Sequence, residues 1–162
     1  MNAHVKFALI LGSLVLTAPS LATAKPVAPT AQLNGTWRLN MAHSKFSTPG
    51  DRSETRTYAI TGNKVKLESS GTDGKGKPVK YHFSAAYDGK YYPMVGNPVG
   101  DSIALTLVDS RHVKAKVRRN KMMSATSATE ISADGKHLTL SRRTLHAKGA
   151  ATVDVLAYDK VE

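Results

Sequence analysis

The chain has no cysteine, one tryptophan and only three phenylalanines in 162 residues. Without cysteine there can be no disulfide scaffold, no thiol nucleophile, no thiolate-held metal and no lipidated cysteine. Carboxylates are also scarce, 12 Asp and Glu against 23 Lys and Arg. Asp73, Asp88, Asp101, Asp109 and Asp134 fall at turn positions, where such side chains hydrogen-bond the local backbone. Glu54, Glu68 and Glu130 stand singly on extended segments, so no acid–base pair is evident. The patterns G-x-S-x-G, S-x-x-K and H-E-x-x-H are missing. Past position 24 no two of His43, His82, His112, His137 and His146 are two or four residues apart, so no single strand or helix face offers two metal ligands. The segment 71–78 nearly spells a phosphate-binding loop. Pro78 replaces the Mg²⁺-holding hydroxyl, however, and the following residues alternate as a strand where that loop must open a helix. These absences point away from an enzyme, and neither a metal nor a cofactor is expected.

Long apolar runs are absent too. The one long apolar run, 7–16, broken only by Gly12 and Ser13, is shorter than the roughly 20 residues a bilayer span needs. It follows Lys6 and leads to Ala22-Thr23-Ala24, a small-x-small site of the kind a signal peptidase accepts. The expected organisation is a cleaved leader over 1–24, a Pro- and Ala-rich flexible linker over 25–32, and one domain over 33–162. Cleavage leaves 138 residues at +10, a soluble product in the periplasm or outside the cell.

What the mature chain does contain is period-two alternation. Val79, Tyr81, Phe83, Ala85 and Tyr87 share one face; Val113, Ala115 and Val117 alternate with Lys114, Lys116 and Arg118; Leu138 and Leu140 alternate with His137, Thr139 and Ser141. Turn pairs such as Gly62-Asn63, Asp88-Gly89, Asn120-Lys121 and Asp134-Gly135 separate the runs every 10–15 residues or so, as hairpins require. No segment supports a long amphipathic helix, only one short turn near Met41 and Ala42. About nine strands joined neighbour to neighbour predict an all-β antiparallel meander of 8–10 strands, and closure into a barrel removes its edges. Small residues on the apolar phase (Ser69, Ala85, Ala115, Ala125, Ser127, Ala157) suit a hollow interior, or a tightly folded one filled from the opposite wall.

The first strand carries Leu33-Asn34-Gly35-Thr36-Trp37. Gly35 and Trp37 resemble the G-x-W signature that opens lipocalin and calycin barrels, where the Trp closes one end against a basic residue from a late strand. Arg142 or Arg143 would be that residue here. The stretches 33–46 and 87–96 are similar to a family of small exported bacterial proteins with a lipocalin-like barrel and no settled function. The resemblance implies the fold and leaves the ligand open.

Two functional expectations follow. In the first, the barrel holds a small apolar or amphipathic molecule, lined by Trp37, Tyr58, Tyr81, Phe83 and Tyr87, with Arg142 as an anionic anchor. Arg142 shares the inward face of Leu138 and Leu140 and needs a partner there; stacking on Trp37 is the preferred one. In the second, Lys114, Lys116, Arg118, Arg119 and Lys121 bind lipid head groups or acidic polysaccharide, and the barrel is a scaffold. Nucleic acid is not expected as a partner, because no aromatic residues interleave this basic run.

Overall fold

The computed structural model describes residues 31–48 and 50–161. The expected leader and residues 25–30 of the expected linker lie outside them. Ten strands follow one another: β1 (Gly35–Leu39), β2 (Ser53–Thr61), β3 (Lys64–Thr72), β4 (Pro78–Ala86), β5 (Asp88–Val95), β6 (Ser102–Leu107), β7 (His112–Arg119), β8 (Met122–Ile131), β9 (His137–Leu145) and β10 (Ala151–Val161). Each pairs antiparallel with the next, and β10 returns to pair with β1, closing the barrel. The fold is an all-β antiparallel meander of ten strands closed into a barrel.

Alternation decides which side chains go inside. Val65, Leu67, Phe83, Ala85, Val113, Ala115, Leu138, Leu140, Leu156 and Tyr158 are buried, and their sequence neighbours mostly face water. Ala157 is an exception to the expected small inward set: it falls between buried Leu156 and Tyr158 and points outward. The strand absent from the sequence expectation is β5, whose Gly89 and Pro93 interrupt the alternation and whose pairing with β6 is irregular. Gly71 marks a close approach of β3 to β2, where a Cβ would lie 2.1 Å from the Ser53 carbonyl oxygen.

Because successive strands reverse direction, the turns at 62–63, 87, 108–111 and 132–136 gather at one end, here called the floor. The loops 40–52, 73–77, 96–101, 120–121 and 146–150 form the other end, the rim. Ala31–Leu33 make a short 3₁₀ turn at the floor, with Leu33 buried, so the folded unit already includes the last two residues of the expected linker. Lys160 Nζ donates to the Gln32 carbonyl at 2.7 Å and ties that turn to β10.

Candidate functional site

The barrel interior is neither empty nor filled. A cavity of about 100 Å³ runs along it, walled by Tyr58, Phe83, Tyr87, Met94, Ala115 and Ala125 and reaching Arg56 and Arg142. It persists because Ala115, Ala125 and Ser127 face inward on β7 and β8, where larger residues would meet the opposite wall. The volume holds several waters or a molecule of roughly benzene size, well short of the 300–1,000 Å³ of a drug-sized pocket. Of the aromatic residues expected to line it, Tyr58, Tyr81, Phe83 and Tyr87 do so.

Trp37 does not. It is fully buried (0% exposed), donates Nε1–H to the Leu33 carbonyl at 2.9 Å, and lies under Lys160, whose Nζ is 5.1 Å from the ring centroid. The basic residue stacked on the tryptophan is therefore Lys160, and the expected Trp37–Arg142 pair does not form. Pairing explains why: Trp37 stands opposite Lys160 across the β1–β10 seam, whereas Arg142 stands opposite Asp154 on β10. Arg143, the other residue considered for that role, is exposed on the outer wall.

The largest departure from the sequence expectation is a buried polar network. Glu54 is not a lone strand carboxylate. It accepts from Arg56 Nε at 2.9 Å, Ser69 Oγ at 2.6 Å and Tyr81 Oη at 2.9 Å through Oε1, and from Tyr158 Oη through Oε2. Arg56 in turn lies over the Tyr158 ring, 4.9 Å from its centroid, and Nη1 donates to Tyr58 Oη at 3.4 Å. Arg56, Ser69 and Tyr81 are neighbours in register across β2, β3 and β4. Burial pushes the Glu54 carboxyl up, but the Arg56 charge and the hydrogen bonds from Arg56, Ser69 and Tyr158 outweigh it and hold the group at about 2. Burial raises the Tyr81, Tyr87 and Tyr158 hydroxyls, so all three stay neutral donors. The signal for this network was present: Glu54, Arg56 and Tyr58 alternate on one face of β2, so an inward Tyr58 carries both charges inside.

Arg142 closes the cavity toward the rim. Its Nη2 donates to Asp154 Oδ2 at 3.1 Å, and Asp154 also accepts from the Ser47 amide at 2.9 Å. Its Nε is buried without a hydrogen-bond partner. A second, polar space of about 100 Å³ adjoins at the rim, bounded by Asp51, Thr72, Asn97, Val99 and Arg142. Arg142 therefore reaches the cavity already neutralised, with its buried Nε–H unpartnered, and is not the free cation an anionic anchor requires. Burial, then repulsion from Glu54, raise the Asp51 carboxyl despite the opposing pull of Arg142 and Arg56. A group whose folded value lies above its unfolded one costs stability when ionised. Asp51→Asn should raise the melting temperature at pH 7, and the gain should vanish below the ordinary value of 3.8, where both forms are neutral; melting curves across pH 3–7 measure it.

The five basic residues of 114–121 separate into two groups. Lys114 and Lys116 face outward on the barrel wall. Arg118, Arg119 and Lys121 belong to the rim, where Arg118 stacks on the Tyr91 ring at 3.7 Å and Arg119 donates to the Pro98 and Val99 carbonyls. Among the described residues no cluster of His, Asp or Glu is arranged to hold a metal ion. No helix among them is long and apolar enough to cross a membrane.

No family model matches this chain, and no curated protein matches its sequence. The fold is similar to that of zebrafish ileal bile acid-binding protein, crystallised with cholic acid, at a TM-score of 0.55 and 16% identity over 81% of this chain and 100% of that one. A structure titled EF1p2_mFAP2b bound to DFHBI aligns with a TM-score of 0.48 at 9% identity, covering 80% of this chain and 94% of that one.

Proposed function

We propose that this protein is a binding protein, not a catalyst, and that its barrel holds a small apolar molecule bearing one neutral acceptor such as a hydroxyl or carbonyl oxygen. The observation that carries the reading is the apolar cavity that reaches Arg142, whose buried Nε has no hydrogen-bond partner. A ligand oxygen there would satisfy a donor that otherwise stays desolvated and unbonded. Asp154 already balances the guanidinium and Asp51 lies close by, so a carboxylate would gain little from Arg142 and would meet like charge. Similarity to a barrel that binds cholic acid supports a ligand in the same kind of fold, but this cavity takes something much smaller than a steroid. The leader pattern supports export as the setting, as in the small exported bacterial proteins whose motifs the chain resembles.

The test is amide chemical-shift titration with toluene, phenol, 1-hexanol and hexanoate. Phenol and hexanol should shift the amides of Ala115, Ala125 and Arg142 saturably, and hexanoate should bind more weakly. Ala125→Leu fills the cavity and should weaken phenol by about tenfold or more; Ala115→Leu does the same from the next strand should the first variant pack poorly. Unsaturable shifts with all four probes, or equal phenol affinity in both leucine variants, would sink the proposal.

A further inference from the structure

We infer that the β7–β8 hairpin tip docks the rim of the barrel onto an anionic lipid surface. Met122 is 75% exposed and Met123 39%, adjacent residues at the start of β8. Across the hairpin Met122 stands opposite Arg119 and Met123 opposite Arg118, with Lys121 next in the chain. Two thioether side chains and three cations thus share one projecting tip. Asn120 and Lys121 both take the left-handed conformation, with φ of 51° and 67°, making a tight two-residue turn. The Arg119 bonds to the Pro98 and Val99 carbonyls, and the Asn120 amide donating to Asp101 at 2.6 Å, fasten that turn to the neighbouring rim loop. The tip is consequently a fixed part of the rim.

Singly scattered exposed apolar residues need no explanation. Here the apolar pair lies within a cationic setting that Asp101 offsets by one charge, and exposed Lys75 and Lys77, offset by Asp73 of the same loop, add one net positive charge at the same end. Cations at a membrane surface are drawn to anionic head groups, while a flexible apolar side chain enters the acyl boundary. An acidic polysaccharide would reward the cations but not the methionines, and that difference selects lipid. The rim is also the end at which the polar space beside Arg142 lies, so docking would set the approach to the cavity against the phase into which small apolar molecules partition. The inference does not depend on a ligand in the barrel.

The experiment uses the chain from Lys25 onward, which contains the whole closed barrel and lacks the apolar leader. It should co-sediment with vesicles containing phosphatidylglycerol as a third of the lipid and not with pure phosphatidylcholine, and the association should fall steeply from low to moderate salt. In Met122→Trp the new indole should be quenched by brominated lipid, whereas the emission of buried Trp37 in the parent should not be. Lys121→Asn, which keeps the left-handed turn, should weaken vesicle binding about fivefold. The double change Met122→Ser with Met123→Ser should weaken it further while leaving retention on heparin unchanged. Failure to co-sediment at low salt overturns the proposal. So does heparin retention without brominated-lipid quenching, which assigns the tip to an acidic polysaccharide.

Discussion

Replacing Glu54 with Gln should lower stability at pH 7 by about 3–5 kcal/mol, the usual penalty for leaving a buried charge without its partner. At about 2–4 °C per kcal/mol, that is a melting point roughly 6–20 °C lower. The cost arises because Arg56 stays buried at 6% exposure with its carboxylate gone, while the hydroxyls of Ser69, Tyr81 and Tyr158 lose an ionised acceptor. The pH dependence identifies the cause. A carboxyl held at about 2 in the folded state, against an ordinary 4.5, contributes stability that is complete above 4.5 and is lost as pH falls toward 2. The gap between parent and Glu54→Gln should therefore be widest at neutral pH and narrow across that interval. Adding Arg56→Met to Glu54→Gln should restore part of the loss, since no unpaired charge then remains in that network. A gap that stays constant from pH 7 to 2 would mean that Glu54 acts by packing alone.

Trp37→Ala should cost about 3–5 kcal/mol through the lost burial and the void left behind. Trp37→Phe should cost less, because it keeps most of the apolar contact and forfeits mainly the 2.9 Å bond to Leu33 and part of the Lys160 stacking. Denaturant unfolding of the two variants gives the comparison. Trp37 does not border the cavity, so Trp37→Phe should bind phenol with unchanged affinity. A loss of phenol binding in that variant would place the tryptophan in the ligand site after all. This separation matters for any assay, since intrinsic tryptophan emission reports on the integrity of the floor and seam and not on the contents of the barrel.

The two effects show where local pattern ends. Alternation along 113–117 or 138–140 reveals which side chains go in, because a strand turns its side chains to opposite faces every residue regardless of its neighbours. The same rule, applied to β2, puts Glu54 and Arg56 on the face of Tyr58, although Glu54 taken alone reads as a single strand carboxylate. It could not say that Tyr158, 104 residues further on, would supply a hydroxyl to Glu54. Likewise the expectation that Trp37 meets a basic residue from late in the chain held in kind. The wrong cation was named because Arg142 and Lys160 are both on the inner phase of adjacent strands, and only the register between strands distinguishes them.

The meander, its closed barrel and the positions of most strands were legible from alternation and turn chemistry, both of which act over a few residues. β5 escaped because Gly89 and Pro93 break that local rhythm while its neighbours still hold it in the sheet. Pairing between strands alone decided that Arg142 arrives neutralised by Asp154, that the interior keeps about 100 Å³, and that Lys160 rather than Arg142 covers Trp37. Each of those depends on which residues of distant strands come to lie opposite one another and on the summed volume of side chains from every wall. Neither quantity is written in any short stretch of the chain.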